Sequence, residues 1–186
     1  MILRLLILVL VLGSNLTSPL FAACARGESL IAEVGGLAAA AIPGIGTLDS
    51  SDFFALMGPD NAAPIGSNVS VQFPQNGSST GVIARLGTSA TMFLLPAVGT
   101  YLVEFQVDVT QAAQLALRLN GAIIANSVVG RATGSSQIVG VSLVTTITPN
   151  SILEVFNPAG NSVLALPVND GGTHPVSAHL VITRIN

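Results

Sequence analysis

The chain has 186 residues, of which half are apolar, 8% charged and 4% aromatic, and its formal net charge is −3. That length suffices for one domain plus a short appendage. The charged fraction is far below the roughly 25% of an average soluble domain, and lysine is absent. A chain so poor in cations has no electrostatic footprint for nucleic acid. Its surface must rely on Ser, Thr, Asn and Gln. Such a composition suits a protein that buries extra surface against copies of itself, or one built to persist outside cells.

The N-terminus reads as an export signal. Met1 to Arg4 gives a short positive start, Leu5 to Leu12 is an unbroken apolar run, and Ala23-Cys24-Ala25 is an A-x-A-like cleavage site. The run is shorter than the about 20 residues that span a membrane, so no stable membrane span is expected. Cys24 is the only cysteine, which excludes an intrachain disulfide. Residues 1–25 are therefore assigned as signal-like and 26–48 as an Ala/Gly/Pro-containing connector. Within the connector, Ile42-Pro43-Gly44-Ile45-Gly46 breaks any helix and is not the Gly-X-Y period of a collagen stalk.

From Asp49 the chain becomes a series of short strand patterns. They are predicted at Phe53–Met57, Val69–Phe73, Val82–Leu86, Thr91–Leu95, Thr100–Val109, Ala113–Leu119, Ile123–Val129, Gln137–Thr145, Ile152–Asn157, Val163–Leu166 and Val176–Ile185. Turn signals separate them, among them Gly58-Pro59-Asp60-Asn61, Asn76-Gly77, Asn120-Gly121, Gly130 to Gly134, Asn157-Pro158 and Asn169-Asp170-Gly171-Gly172. The clearest pattern lies between Gly99 and Gly121. Tyr101, Val103, Phe105, Val107 and Val109 alternate with Leu102, Glu104, Gln106 and Asp108, which is the period of a strand with one buried face. Leu115, Leu117 and Leu119 then alternate with Gln114, Ala116 and Arg118. Tyr101, Val103, Phe105, Val107, Leu115, Leu117 and Leu119 are assigned to the core. Many short strands with no amphipathic helix imply an all-β antiparallel sandwich or barrel.

Gly99-Thr100-Tyr101 followed by Phe105, and Leu117-Arg118-Leu119-Asn120-Gly121, resemble the pattern of C1q/TNF-like jelly rolls. The nearer likeness is to the C-terminal domain of the collagen-like bacterial surface glycoproteins of the BclA type. Phe54-Ala55-Leu56-Met57, Val71-Gln72-Phe73-Pro74, Gly130-Arg131-Ala132-Thr133-Gly134, Asn157-Pro158-Ala159-Gly160-Asn161 and Ser177-Ala178-His179-Leu180-Val181-Ile182 also resemble that group. The likeness covers about residues 50 to 186. It implies a ten-stranded antiparallel jelly-roll sandwich over 49–186 that forms a homotrimeric head on a surface filament or stalk. The last strand would lie near the threefold axis, and Phe53, Phe54, Leu180, Val181 and Ile182 are assigned to the trimer interface. Ala178, Leu180 and Ile182 share one strand face while Val181 and Ile185 share the other, so both faces need cover.

No constellation suggests catalysis. A Ser-His-acid triad needs converging partners. The two histidines, His174 and His179, offer only Asp170 nearby in sequence, across a Gly-Gly turn. Ser142 lacks the second glycine and following helix of a nucleophile elbow. Glu104 and Asp108 lie four strand residues apart, about 13 Å at 3.3 Å per residue, whereas paired glycosidase carboxylates need roughly 5–9.5 Å. They read instead as a solvated or interface polar face, and His179 as a surface or interface residue. Asp60-Asn61 and Asn169-Asp170 read as Asx turns rather than calcium ligands. Asn68-Val69-Ser70 and Asn76-Gly77-Ser78 match N-glycosylation acceptors, which matter only in a eukaryotic secretory path. The expectation is a secreted or extracellular, non-enzymatic structural or adhesive head without metal or cofactor, partnered by itself. A head that binds a glycan or surface receptor is the alternative, with the ligand-binding residues unassigned.

Overall fold

A computed structural model describes residues 48–169 and 176–186, all belonging to one compact unit. The signal-like segment, the connector up to residue 47, Asp170 and His174 lie outside the described residues. Eleven strands follow one another: β1 (Ser50–Leu56), β2 (Gln75–Ser79), β3 (Ala84–Arg85), β4 (Phe93–Leu95), β5 (Gly99–Val109), β6 (Ala113–Leu119), β7 (Ala122–Ile123), β8 (Val129–Arg131), β9 (Ser136–Thr146), β10 (Ser151–Phe156) and β11 (Val176–Arg184). Among the described residues there is no α-helix, and none long and apolar enough to cross a membrane.

The strands form two antiparallel sheets. The first runs β2-β1-β11-β5-β9, the second β3-β4-β10-β6-β7 with β8 also on β6. The last strand, β11, is inserted between β1 and β5, so both ends of the domain meet in the middle of one sheet. β5 and β9 pair over their whole lengths, from Gly99 with Thr146 to Val109 with Ser136.

The core lies between the sheets. β5 contributes Tyr101, Val103, Phe105 and Val107, β6 contributes Leu115 and Leu117, and all six are buried. Leu119, at the end of β6, is only partly buried and packs against this cluster. Phe93 on β4 joins the sheets through Phe53 on β1 and through Phe73, with ring centroids 4.6 and 5.9 Å apart. The Tyr101 hydroxyl donates to the Ala97 carbonyl at 2.7 Å, which satisfies the polar tip of an otherwise buried ring.

Local chemistry explains the departures from the strand pattern. Asn76-Gly77 is not a turn: it lies within β2, the polar edge strand beside β1. Val69–Phe73 is not a strand of either sheet. It runs between Asn68, held at φ 62°, and Pro74, and makes one bridge, Ser70 with Phe156. Val71 and Phe73 still fill core positions. Val163–Leu166 likewise shrinks to a bridge between Leu164 and Ile65. Ile123–Val129 is interrupted by a 3-10 turn over Ala125–Ser127, where the Ser127 hydroxyl accepts from Leu117 N–H and donates to Ile124. Gly130 belongs to β8 rather than to a turn. The Asn120-Gly121 hairpin has both residues at positive φ, 50° and 83°, as a tight primed turn requires.

Candidate functional site

The outer face of the first sheet is a grid set by strand register. Three rows cross β1, β11, β5 and β9: Ser50-Thr183-Leu102-Leu143, Asp52-Val181-Glu104-Val141, and Phe54-His179-Gln106-Val139. Period-two alternation puts every one of these side chains on the same side. Val139, Val141 and Leu143 are 57–59% exposed, while Phe54, Val181 and Leu102 beside them are half-buried. Glu104, Gln106, Val139, Val141, His179 and Val181 line a shallow hollow of about 190 Å³ in this face.

This face ends at β9, an edge strand. Residues 136–146 contain no charged residue and no proline, so nothing in the sequence blunts the edge. An exposed, long, apolar edge is a template for pairing or packing with another chain. Here the edge adjoins large exposed aliphatic side chains on the same strand, Val139, Val141 and Leu143.

Polar groups interleave with the aliphatic ones on this face: Ser50, Thr183, Asp52, Glu104, His179 and Gln106. His179 Nε2 lies 2.5 Å from Asp52 Oδ1 on the neighbouring strand, a close polar contact outside aligned hydrogen-bond geometry. The side chain of His179 is 45% exposed and that of Asp52 28%. Glu104 is exposed between Val181 and Val141. Asp108, expected on the same solvated face, is instead 4% exposed. The last three residues of β5, Val107 to Val109, are all buried, so this strand end is covered on both sides.

The assigned interface residues separate into two groups. Phe54 and Val181 lie on the outer face. Phe53, Leu180 and Ile182 point into the sandwich at 0–3% exposure, because they alternate with the outward residues of β1 and β11. They therefore sit in the protomer's own core and are not open to a second chain. The apolar row of β9 escaped the sequence reading, although its signal was present. Its outward residues, Val139, Val141 and Leu143, are as apolar as the inward, buried Ile138 and Val144, so the strand is apolar on both faces.

On the second sheet, Arg118 and Glu154 are direct cross-strand partners. Arg118 Nε and Nη2 donate to Glu154 Oε2 and Oε1 at 2.9 and 2.8 Å, and Glu154 also accepts from Ser70 at 2.8 Å. The guanidinium lies 4.7 Å from the Phe156 ring, and Nη1 reaches Asn68 Oδ1 at 3.2 Å. This cluster is filled by its own members. Asp60 and Asn61 are likewise used locally: Asp60 accepts from Leu56 N–H, and Asn61 exchanges two hydrogen bonds with the backbone of Gln72. Ser142 is half-buried within β9. Among the described residues no three His, Cys, Asp or Glu side chains gather into a metal-binding group.

No family model matches the chain, and no curated protein matches it. Solved structures do. The globular domain of zebrafish complement 1qA protein superposes with a TM-score of 0.54 at 12% identity, covering 74% of this chain and 98% of that one. The chain has the C1q/TNF-like jelly-roll fold. Eiger TNF from S. frugiperda gives a TM-score of 0.53 at 10% identity, with 75% and 93% of the two chains covered. Murine APRIL gives 0.51 at 12%, with 75% and 100% covered. At these identities the shared property is the fold, and the function of this jelly roll rests on its own surfaces.

Proposed function

We propose that the protein is a structural or adhesive surface protein, a homotrimeric jelly-roll head displayed outside a cell or on a spore or virion surface. The observation that carries this reading is the row of exposed aliphatic residues Val139, Val141 and Leu143 on the outer face of the first sheet, along the uncharged β9 edge. The edge and face are different surfaces, so the contact is heterologous, and such a contact closes into a ring when the rotation between copies closes. The β9 edge of one protomer seats on the outer face of the next, and three copies complete the ring. The resemblance to the BclA-type glycoproteins supports a trimer and a surface location, as does the export-like run Leu5–Leu12. The head works by assembling and presenting its loops rather than by turning over a substrate.

Light scattering on the purified full chain at micromolar concentration should give three times the monomer mass; a folded monomer overturns the reading. Intact-mass measurement of exported protein should place the mature N-terminus near Arg26. A head that also binds a glycan or receptor is the second reading, and the cleft described next favours it.

A further inference from the structure

Where the two sheets part, on the far edge from β9, a cleft of about 570 Å³ opens between β1, β2 and β3. Its size falls in the range of small-ligand sites, roughly 300–1,000 Å³. Three features give it a chemistry. The first is Arg85. Its Nη1 donates to the Phe73 carbonyl at 3.0 Å and its guanidinium lies 5.9 Å from the Phe53 ring, so the group is held in place. A guanidinium carries five N–H donors, and no carboxylate lies within ion-pair distance of Arg85 among the described residues. The remaining donors lie at a cleft they help to line.

The second feature is a bulge. β1 and β2 pair as Ser51 with Ser79 and then Phe53 with Asn76, so Gly77 and Ser78 stand opposite Asp52 alone. The Asp52 carboxylate occupies the space beside Gly77 that any Cβ would fill. Bulges that re-aim a side chain in this way recur at functional sites. Asp52 thereby lines the outer rim of the cleft, with Oδ1 turned to His179 and the carboxylate packed against Gly77. The third feature is the remaining lining. The Ser79 and Ser51 hydroxyls share a 2.7 Å hydrogen bond, and Ser51 passes its proton on to the Ile83 carbonyl at 2.7 Å. That leaves Ser79 with acceptor capacity at the cleft. At Gly87 nothing lies within 4 Å of the missing Cβ, so a ring can approach the backbone there, whereas the Asp52 and Asp49 carboxylates fill that space at Gly77 and Gly81.

We propose that this cleft binds a carboxylate-bearing saccharide. The forked guanidinium of Arg85 matches a carboxylate in a bidentate manner. Ser79 and Asn76 accept or exchange hydrogen bonds with the ring hydroxyls. A neutral sugar leaves the guanidinium unanswered, and a simple carboxylate leaves the rest of the cleft empty. The proposal does not rest on the assembly reading, because every group named comes from one protomer.

Calorimetric titration of the full chain with glucuronate and with N-acetylneuraminate tests it, using glucose and acetate as controls. At least one acidic sugar should saturate the protein at one per chain and bind at least tenfold tighter than both controls. Arg85→Gln should weaken that binding at least tenfold while light scattering reports an unchanged mass. Nuclear magnetic resonance on the unaltered protein decides the location without any variant: the amides of Gly77, Gly81 and Gly87 should shift on adding the sugar, and those of Gly121 and Gly160 should not. The proposal is overturned if neither acidic sugar saturates, if glucose or acetate binds as tightly, if Arg85→Gln binds as well as the parent, or if the shifts fall elsewhere.

Discussion

The ring of Phe105 on β5 stands over Gly140, its direct cross-strand partner on β9, and fills the place a side chain there would take. A Cβ at Gly140 would lie 2.3 Å from two ring atoms. The glycine is thus the counterpart of the phenylalanine, and the two sites are coupled. Gly140→Ala should overpack this point and cost about 1–3 kcal/mol. Phe105→Ala should leave a cavity and cost about 3–5 kcal/mol. Adding Gly140→Ala to Phe105→Ala should cost less than the sum, since the methyl group enters the vacated space. Urea midpoints at one fixed protein concentration check all three variants. Additive costs would show that the ring does not pack on the glycine.

Gly121 offers the contrasting case. Nothing lies within 4 Å of its missing Cβ, but its φ is 83°. Gly121→Ala should therefore cost only the backbone strain of a left-handed residue, about 1 kcal/mol. The same denaturation assay should show a small shift here and a larger one at Gly140.

Arg118 and Glu154 form a largely buried bidentate pair, with side-chain exposures of 18% and 8%. Removing one partner from such a pair strands the other charge and costs about 3–5 kcal/mol, whereas replacing both with apolar residues is often close to neutral. Arg118→Met alone should lower the thermal midpoint by several degrees. Arg118→Met with Glu154→Leu should recover most of the loss. A double variant as unstable as the single one would show that the network through Ser70 and Asn68 cannot be replaced.

How far the residues reveal the fold depends on which surface each strand faces. β5 and β6 have one clean apolar face each, so alternation alone locates them. β2 reads Gln-Asn-Gly-Ser-Ser, because an edge strand with four exposed residues needs no apolar stripe. Its strand character comes only from pairing with β1, and Asn-Gly then looks like a turn. Val71 and Phe73 show the opposite error. Their burial was legible, but Asn68 and Pro74 confine the segment to isolated contacts. The candidate site was partly legible for the same reason. β11 is apolar on both faces, so the pattern called for cover on both sides without saying which side belonged to the protomer. Register with β1 and β5 supplies that answer. The cleft at Arg85 was not legible, since it depends on a bulge between β1 and β2, in the other sheet.

That register turns the assembly reading into a test of adjacent residues. Leu180 and Val181 are neighbours on β11, yet Leu180 is fully buried in the protomer core and Val181 lies half-buried on the outer face between Asp52 and Glu104. A glutamate at each site meets a different environment. At position 180 it would be an unpaired charge inside the sandwich, and the chain would lose its fold. At position 181 it would join two carboxylates already on the face. In a free protomer it can reach water at little cost. In the ring, a neighbouring β9 edge covers it and the like charges repel. Leu180→Glu should therefore abolish the cooperative unfolding transition, while Val181→Glu should keep that transition and give a folded monomer by light scattering. Val141→Glu, on the β9 side of the same contact, should behave as Val181→Glu does. If Val181→Glu and Val141→Glu both retain three times the monomer mass, the outer face of the first sheet is not where the copies meet.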